Sequence, residues 1–194
     1  MRVLVGLGNP GERYRKSRHS IGFYILDKLA LEFGNPVWKQ FKGGELAEVF
    51  TTSGKALFFK PIQFMNVSGL PIRQLMDYYE IESKDLGIIA DDVYLAPGTV
   101  KIRTGGSDGG HNGWKSVQQH VGAQEYKRIR VGVGIYEQHP DKRTLSPPLE
   151  EYVLQPLPEA ELQRIDTLID ILGPKLIHWL EQGELEEHSF SSKN

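Results

Sequence analysis

The sequence predicts an α/β fold: one globular domain over residues 1–194, with a twisted, mixed, mostly parallel sheet surrounded by helices. Three observations predict it. The chain has 194 residues, enough for one domain with a real core. Short apolar runs of strand character interleave with stretches of helical periodicity. No internal repeat and no long linker divides them.

The elements follow in order. Residues 3–7 are an apolar run closed by glycine, a buried strand. Ile21, Tyr24, Ile25, Leu29 and Phe33 have helical spacing, and Gly34 stops that helix. Residues 47–51 and 56–60 read as strands around a turn at Ser53-Gly54. Ser68 is placed to cap a helix reaching Tyr79, with Pro71 tolerated in its first turn. Residues 86–90 and 99–103 are strands, and residues 114–121 a short helix. Ile129, Val131, Val133 and Ile135 alternate as a strand. Two acidic helices follow, near residues 158–172 and 174–182. The loop 136–148, rich in proline and charge, is the expected mobile segment, and residues 187–194 are expected to fray.

The chain has no cysteine, which excludes disulfides, thiolate metal sites and cysteine nucleophiles. No window approaches the roughly 18 uninterrupted apolar residues of a membrane span. The N-terminus reads as a strand and not as a signal peptide. A reducing cytoplasm is the expected setting. The net charge of −2 hides an asymmetry. Residues 1–143 carry 20 Lys/Arg against 15 Asp/Glu, whereas residues 144–194 carry 3 against 10. The body is basic and the tail acidic, which leaves open an RNA partner or a merely solvated surface.

Five loops carry side chains with chemical uses. Gly6-Leu7-Gly8-Asn9-Pro10-Gly11 fits the dinucleotide pattern G-x-G-x-x-G, but polar residues 12–18 intervene where a helix should begin. The alternative is a turn that exposes the Asn9 amide at the end of a strand. Arg13, Arg15, Lys16 and Arg18 crowd beside Tyr14 before a helix, a patch suited to phosphates. His19 follows them at a helix N-terminus, where the dipole disfavours imidazolium, so it is a candidate general base or else a surface histidine. Asn66 in the loop 64–69 is a turn residue or an amide offered to a substrate. Asp91 and Asp92 end a strand, where neighbours point opposite ways, so one of them faces the site. A carboxylate beside His19 would fix its tautomer and stabilise its imidazolium. Metal binding by Asp91, Asp92, Asp108, His111 and His19 is the competing reading, without a tight spacing such as HExxH to support it. The loop 105–113 holds five glycines in nine residues and displays His111 and Asn112.

Taken in order, the blocks 5–11, Arg18-His19 with Gly22, Lys60-Pro61 with 64–69, Asp91-Asp92 with Pro97-Gly98, 109–113 and 128–134 resemble the bacterial peptidyl-tRNA hydrolases over roughly residues 3–155. The resemblance implies a monomeric, cytoplasmic enzyme without metal or cofactor that cleaves the ester between a peptide and the 3′-terminal ribose of tRNA. By position, it implies that His19 activates water and Asp91 orients it. Asn9 and Asn66 would hold peptide and terminal adenosine, with Met65 as floor. Asn112 would position the water and stabilise the oxyanion, and Tyr14 and His111 would touch substrate. Arg103, Arg130 and Lys142 would take tRNA phosphates. The chain departs from the family pattern at Ser20, usually Asn, at Gln63, usually Thr, at Arg103, usually Lys, and at Tyr94 and Ala96, in a stretch that often reads Asp-Leu-Pro. The alternatives are a non-catalytic RNA-binding relative and a dinucleotide enzyme.

Overall fold

A computed structural model of the chain describes residues 1–122, 125–134 and 147–192. In chain order the elements are β1 (Val3–Gly6), α1 (Ile21–Glu32), β2 (Lys39–Phe41), β3 (Gly44–Thr51), β4 (Gly54–Pro61), α2 (Gly69–Tyr79), β5 (Leu86–Asp92), β6 (Thr99–Thr104), α3 (Asn112–Val121), β7 (Lys127–Gly132), α4 (Leu149–Tyr152), α5 (Glu159–Gln182) and β8 (Ser189–Ser191), joined in places by 3-10 turns.

The fully apolar runs take the centre of the sheet. β1 is buried along its whole length and pairs in parallel with β4 on one side and β5 on the other. β5 pairs in parallel with β7. Outside this centre the ladder turns antiparallel, giving the order β2-β3-β4-β1-β5-β7-β6-β8. The expectation of a mostly parallel sheet is therefore corrected: four of the seven pairings are antiparallel. The reason is local. The strand pairs β2-β3 and β3-β4 are hairpins, and a hairpin can only return antiparallel.

Period-two alternation then fills both faces. Leu4, Phe58, Ile89 and Ile129 pack with Ile25, Leu29 and Trp179 of α1 and α5. Val3, Val5, Leu57, Phe59 and Ile88 pack with Ile72, Leu75 and Trp114 of α2 and α3. α1 lies very close to the sheet because residue 22 is glycine: a Cβ there would stand 2.4 Å from the Leu7 nitrogen and 2.5 Å from the Ile89 carbonyl oxygen. The carboxyl ends of β1, β4 and β5 open on the same edge, where α/β folds place their sites.

Several expectations change. The two acidic helices are one helix, α5, that runs through Pro174. Leu162, Ile165, Leu168, Leu172, Leu176 and Trp179 form one buried stripe across the proline. Burying each of these is worth about 1.5–3 kcal/mol, which together outweighs the roughly 3 kcal/mol cost of an internal proline. Ser68 does hold the N-cap position of α2, but its hydroxyl makes no capping hydrogen bond, because a 3-10 turn over Met65–Val67 runs straight into the helix. The Gly69 N–H instead donates to Ser116 Oγ of α3 at 3.0 Å. Fraying from residue 187 is corrected at β8, which pairs with β6 through Thr99↔Ser191, Val100↔Phe190 and Lys101↔Ser189. β2 and α4 were too short to carry a periodicity. Ile135 and residues 136–146 of the proposed mobile loop lie outside the described residues. Among the described residues no helix is long and apolar enough to cross a membrane.

Candidate active site

His19 sits in a 3-10 turn, Arg18–Ser20, that leads into α1. Its backbone is held from the far end of the chain. The His19 N–H donates to the Val153 carbonyl at 2.8 Å, and the Arg18 N–H to that of Gln155 at 3.1 Å. Arg18 itself is 5% exposed, pairs with Glu161 at 3.3 Å, and lies 4.2 Å from the centre of the Tyr152 ring. It was grouped by sequence with the phosphate-binding cations. Burial and pairing remove it from that patch, and it acts as a clamp on the turn that carries His19.

Asp91, at the end of β5, receives two imidazoles. His19 Nδ1 lies 2.9 and 3.0 Å from its two oxygens, and His111 Nε2 lies 2.9 Å from Oδ1. Burial pushes the Asp91 carboxyl up, but the two adjacent imidazoles outweigh it and hold the group well below the usual carboxylate range. The tautomers follow from this. His111 Nδ1 lies 3.0 Å from the Gly113 nitrogen and 3.3 Å from that of Trp114. Backbone N–H groups only donate, so Nδ1 carries no proton and Nε2–H donates to Asp91. An ionised Asp91 only accepts, so His19 donates from Nδ1, and in its neutral form the lone pair lies on Nε2. The two rings stand 4.8 Å apart.

That lone pair belongs to a ring lining a cavity of about 210 Å³, walled by Asp91, His111, Asn112, Trp114 and Arg130 and closed by Leu149, Glu150 and Val153 around α4. The volume is below the roughly 300–1,000 Å³ of sites for whole small ligands, so it suits a water and an acyl carbon. Asn112 is exposed at the first position of α3 and lines the cavity. His111 is not displayed as the sequence suggested. Its ring is turned inward and caps α3 while it bonds Asp91. Asp92 pairs with Arg130 Nε at 3.0 Å and accepts from the Tyr94 N–H at 2.9 Å. The neighbouring carboxylates thus have separate partners, although both line the cavity.

A second group adjoins the first. Asn9 is 7% exposed, and its Oδ1 accepts from the Met65 N–H at 2.9 Å. Its own N–H donates to Ser20 Oγ at 3.1 Å, so the departure at residue 20 ties the Asn9 loop to the residue after His19. Met65 is buried, and its Sδ would stand 2.5 Å from a Cβ at residue 113, where His111 Cε1 would stand 2.8 Å away, so glycine there lets the two loops close. Asn66 is exposed beside it and does not line the His19 cavity. Tyr14 carries the Arg13 guanidinium 4.4 Å over its ring and also lies outside that lining.

The pairing of β6 with β7 sets Lys101 opposite Arg130 and Arg103 opposite Arg128, which puts four cations on one face of the sheet. Arg128 is spent internally. It is 1% exposed, lies between Trp114 and Tyr126 at 4.9 and 5.0 Å, and donates to the Ser107 carbonyl at 2.9 Å. Arg103 leans on the Ile102 carbonyl and on Ser189 Oγ. Lys142 lies outside the described residues. Sequence reasoning missed the roles of Arg18, Ser20, Arg128 and α4, whose partners lie far away in sequence. His19, Asp91 and His111 are also the group among the described residues whose ligand atoms, within 4.8 Å of one another, could hold a metal ion. The ring nitrogens that face the carboxylate are already engaged by it through their protons.

Comparison with known proteins bears on the family and the fold. The family model described as peptidyl-tRNA hydrolase matches residues 3–194. A peptidyl-tRNA hydrolase of Listeria innocua is 44% identical over 162 residues, 83% of each chain. One of Bacillus subtilis is 39% identical over 170 residues, 88% of this chain and 87% of its own. The crystal structure of peptidyl-tRNA hydrolase from Acinetobacter baumannii superposes with a TM-score of 0.82 at 30% identity, covering 94% of this chain and 89% of that one.

Proposed function

Since the chain belongs to the peptidyl-tRNA hydrolase family and hydrolyses the ester joining peptide to tRNA, we propose that His19 is the general base and Asp91 its orienting partner in that reaction. The observation that carries this reading is the contact of His19 Nδ1 with both Asp91 oxygens, at 2.9 and 3.0 Å, which in the neutral imidazole puts the proton on Nδ1 and the lone pair on Nε2. Nε2 accepts a proton from water as the water oxygen attacks the ester carbonyl. The carbonyl becomes an oxyanion, to which the Asn112 amide donates. The tetrahedral carbon then expels the 3′-ribose oxygen, which takes the proton back from the imidazolium. Asp91 stabilises that imidazolium without itself being protonated. The protein ends unchanged, with free tRNA and peptide released.

Asn9, Met65 and Asn66 form the substrate side of the site, and Tyr14 its outer rim. His111 contributes through Asp91 rather than by reaching tRNA. Arg103, Arg130 and Lys142 take phosphates of the acceptor stem. The reaction uses water and side chains alone, as a monomer in the cytoplasm. The test is release of tRNA from an N-acetylaminoacyl-tRNA. His19→Ala is expected to abolish release and keep tRNA binding. Release at the wild-type rate overturns the assignment of the base.

A further inference from the structure

A second and larger depression begins at Asn9 and leads away from His19. It holds about 950 Å³ and runs over the outer face of α1 to Trp38, with Lys60 of β4 on its other wall. Its apolar lining comes from Phe23, Tyr24, Leu31, Trp38 and Ile62, and Leu31 is 60% exposed. Its cations are largely neutralised from within. Lys60 pairs with Asp27 and lies 3.9 Å over the Trp38 ring, Lys28 pairs with Asp166 at 3.2 Å, and Arg15 pairs with Glu12 at 3.6 Å.

We propose that this groove holds the residues of the peptide that precede the ester-linked one, with preference for apolar and aromatic side chains. The proposal rests on the reading of His19 and Asp91 as the hydrolytic pair. Two polymers leave the scissile ester, and they need different surfaces. RNA needs cations free to meet phosphates. Lys101 and Arg103 on the β6–β7 face have no carboxylate partner within 4 Å among the described residues, whereas the groove's cations mostly do. The groove offers aromatic faces and aliphatic edges, the surface that binds an extended peptide. Asn9 lines the groove, and its backbone N–H ties it to Ser20, the residue after His19. Its Oδ1 is taken by the Met65 N–H, and its Nδ2 has no partner among the described residues. The amide end left over is a donor, which suits a peptide carbonyl passing out of the catalytic cavity.

The test compares two substrates that share tRNA and ester-linked residue, an N-acetylaminoacyl-tRNA and a peptidyl-tRNA with four further residues including Phe and Leu. The variants are Leu31→Gln, at an exposed position, and Trp38→Leu, which keeps an apolar side chain; neither alters charge. In the double variant the ratio of kcat/KM for the long substrate to that for the short one is expected to fall about tenfold, or about 1.4 kcal/mol. An unchanged ratio in both single variants and the double variant overturns the proposal. So does weaker binding of uncharged tRNA by Leu31→Gln, which would give the groove to RNA. No release from either substrate by the wild type instead refutes the hydrolytic reading beneath it.

Discussion

His111 donates from Nε2 to Asp91 Oδ1 at 2.9 Å, onto the same carboxylate that His19 holds through Nδ1. Its other nitrogen caps α3. One side chain therefore serves both the catalytic pair and the helix that carries Asn112. Substitution separates the two duties. His111→Asn keeps a capping acceptor but loses the bond to Asp91, so kcat is expected to fall about 10- to 100-fold with little change in stability. His111→Ala loses both, and adds about 1 kcal/mol of destabilisation. Steady-state hydrolysis and urea denaturation of the two variants check the split.

Asp91→Asn tests the tautomer argument. An amide can donate to His19 Nδ1, which would place the proton on Nε2 and occupy the lone pair that water needs. A fall in kcat of about 10⁴-fold is expected, as when a triad carboxylate is so replaced. Stability gives an independent readout. The native Asp91 carboxyl lies below its unfolded value of about 3.9. In acid the unfolded chain then binds the proton first, so this contribution is present above pH ~4 and is lost as pH falls through the lower native value. Asp91→Asn removes it, and its denaturation midpoint should decline less steeply than wild type below pH ~4.

The contact between His19 and Asp91 was only partly legible: His19 before a helix and Asp91 at the end of an apolar strand are local signals that left a surface histidine open, and it was the family resemblance that paired them. The parallel centre of the sheet was legible from local signals of the same kind. What failed was whatever depended on distant partners. Arg18 sits among cations in sequence, and nothing near it foretells Glu161 or the Tyr152 ring. Pro174 breaks a helix by local rules, and only the apolar stripe buried against the sheet shows why α5 continues. His111 looked like a displayed side chain because a glycine-rich loop does not reveal which way its ring turns.

Arg128 shows the same dependence, and its replacement is informative. Its guanidinium bonds the Ser107 carbonyl at 2.9 Å and the Tyr126 hydroxyl at 2.8 Å, and lies between two rings. It ties the glycine-rich loop to β7 and thereby fixes where α3 begins. Arg128→Met fills similar space but leaves the Tyr126 hydroxyl unpaired. A loss of about 2 kcal/mol in urea denaturation is expected, together with a lower kcat as His111 and Asn112 loosen. Arg128→Lys should not restore either, because one ammonium cannot reproduce the planar fork between the rings.

Arg103 has the opposite character. It is partly exposed on β6, opposite Arg128 in the ladder, and donates to the carbonyl of its own neighbour Ile102 at 2.6 Å and to Ser189 Oγ at 3.4 Å. Among the described residues no carboxylate lies within 4 Å of its guanidinium, whereas an RNA strand crossing the β6–β7 face would bring phosphates to it. Arg103→Ala should leave the denaturation midpoint within about 0.5 kcal/mol of wild type. If it meets one phosphate, the slope of log K for tRNA binding against log salt should become shallower by about 1, with KM raised and kcat kept. An unchanged slope would show that the acceptor stem takes another path, and would leave Lys101 and Arg130, the latter already paired with Asp92, as the remaining described candidates on that face.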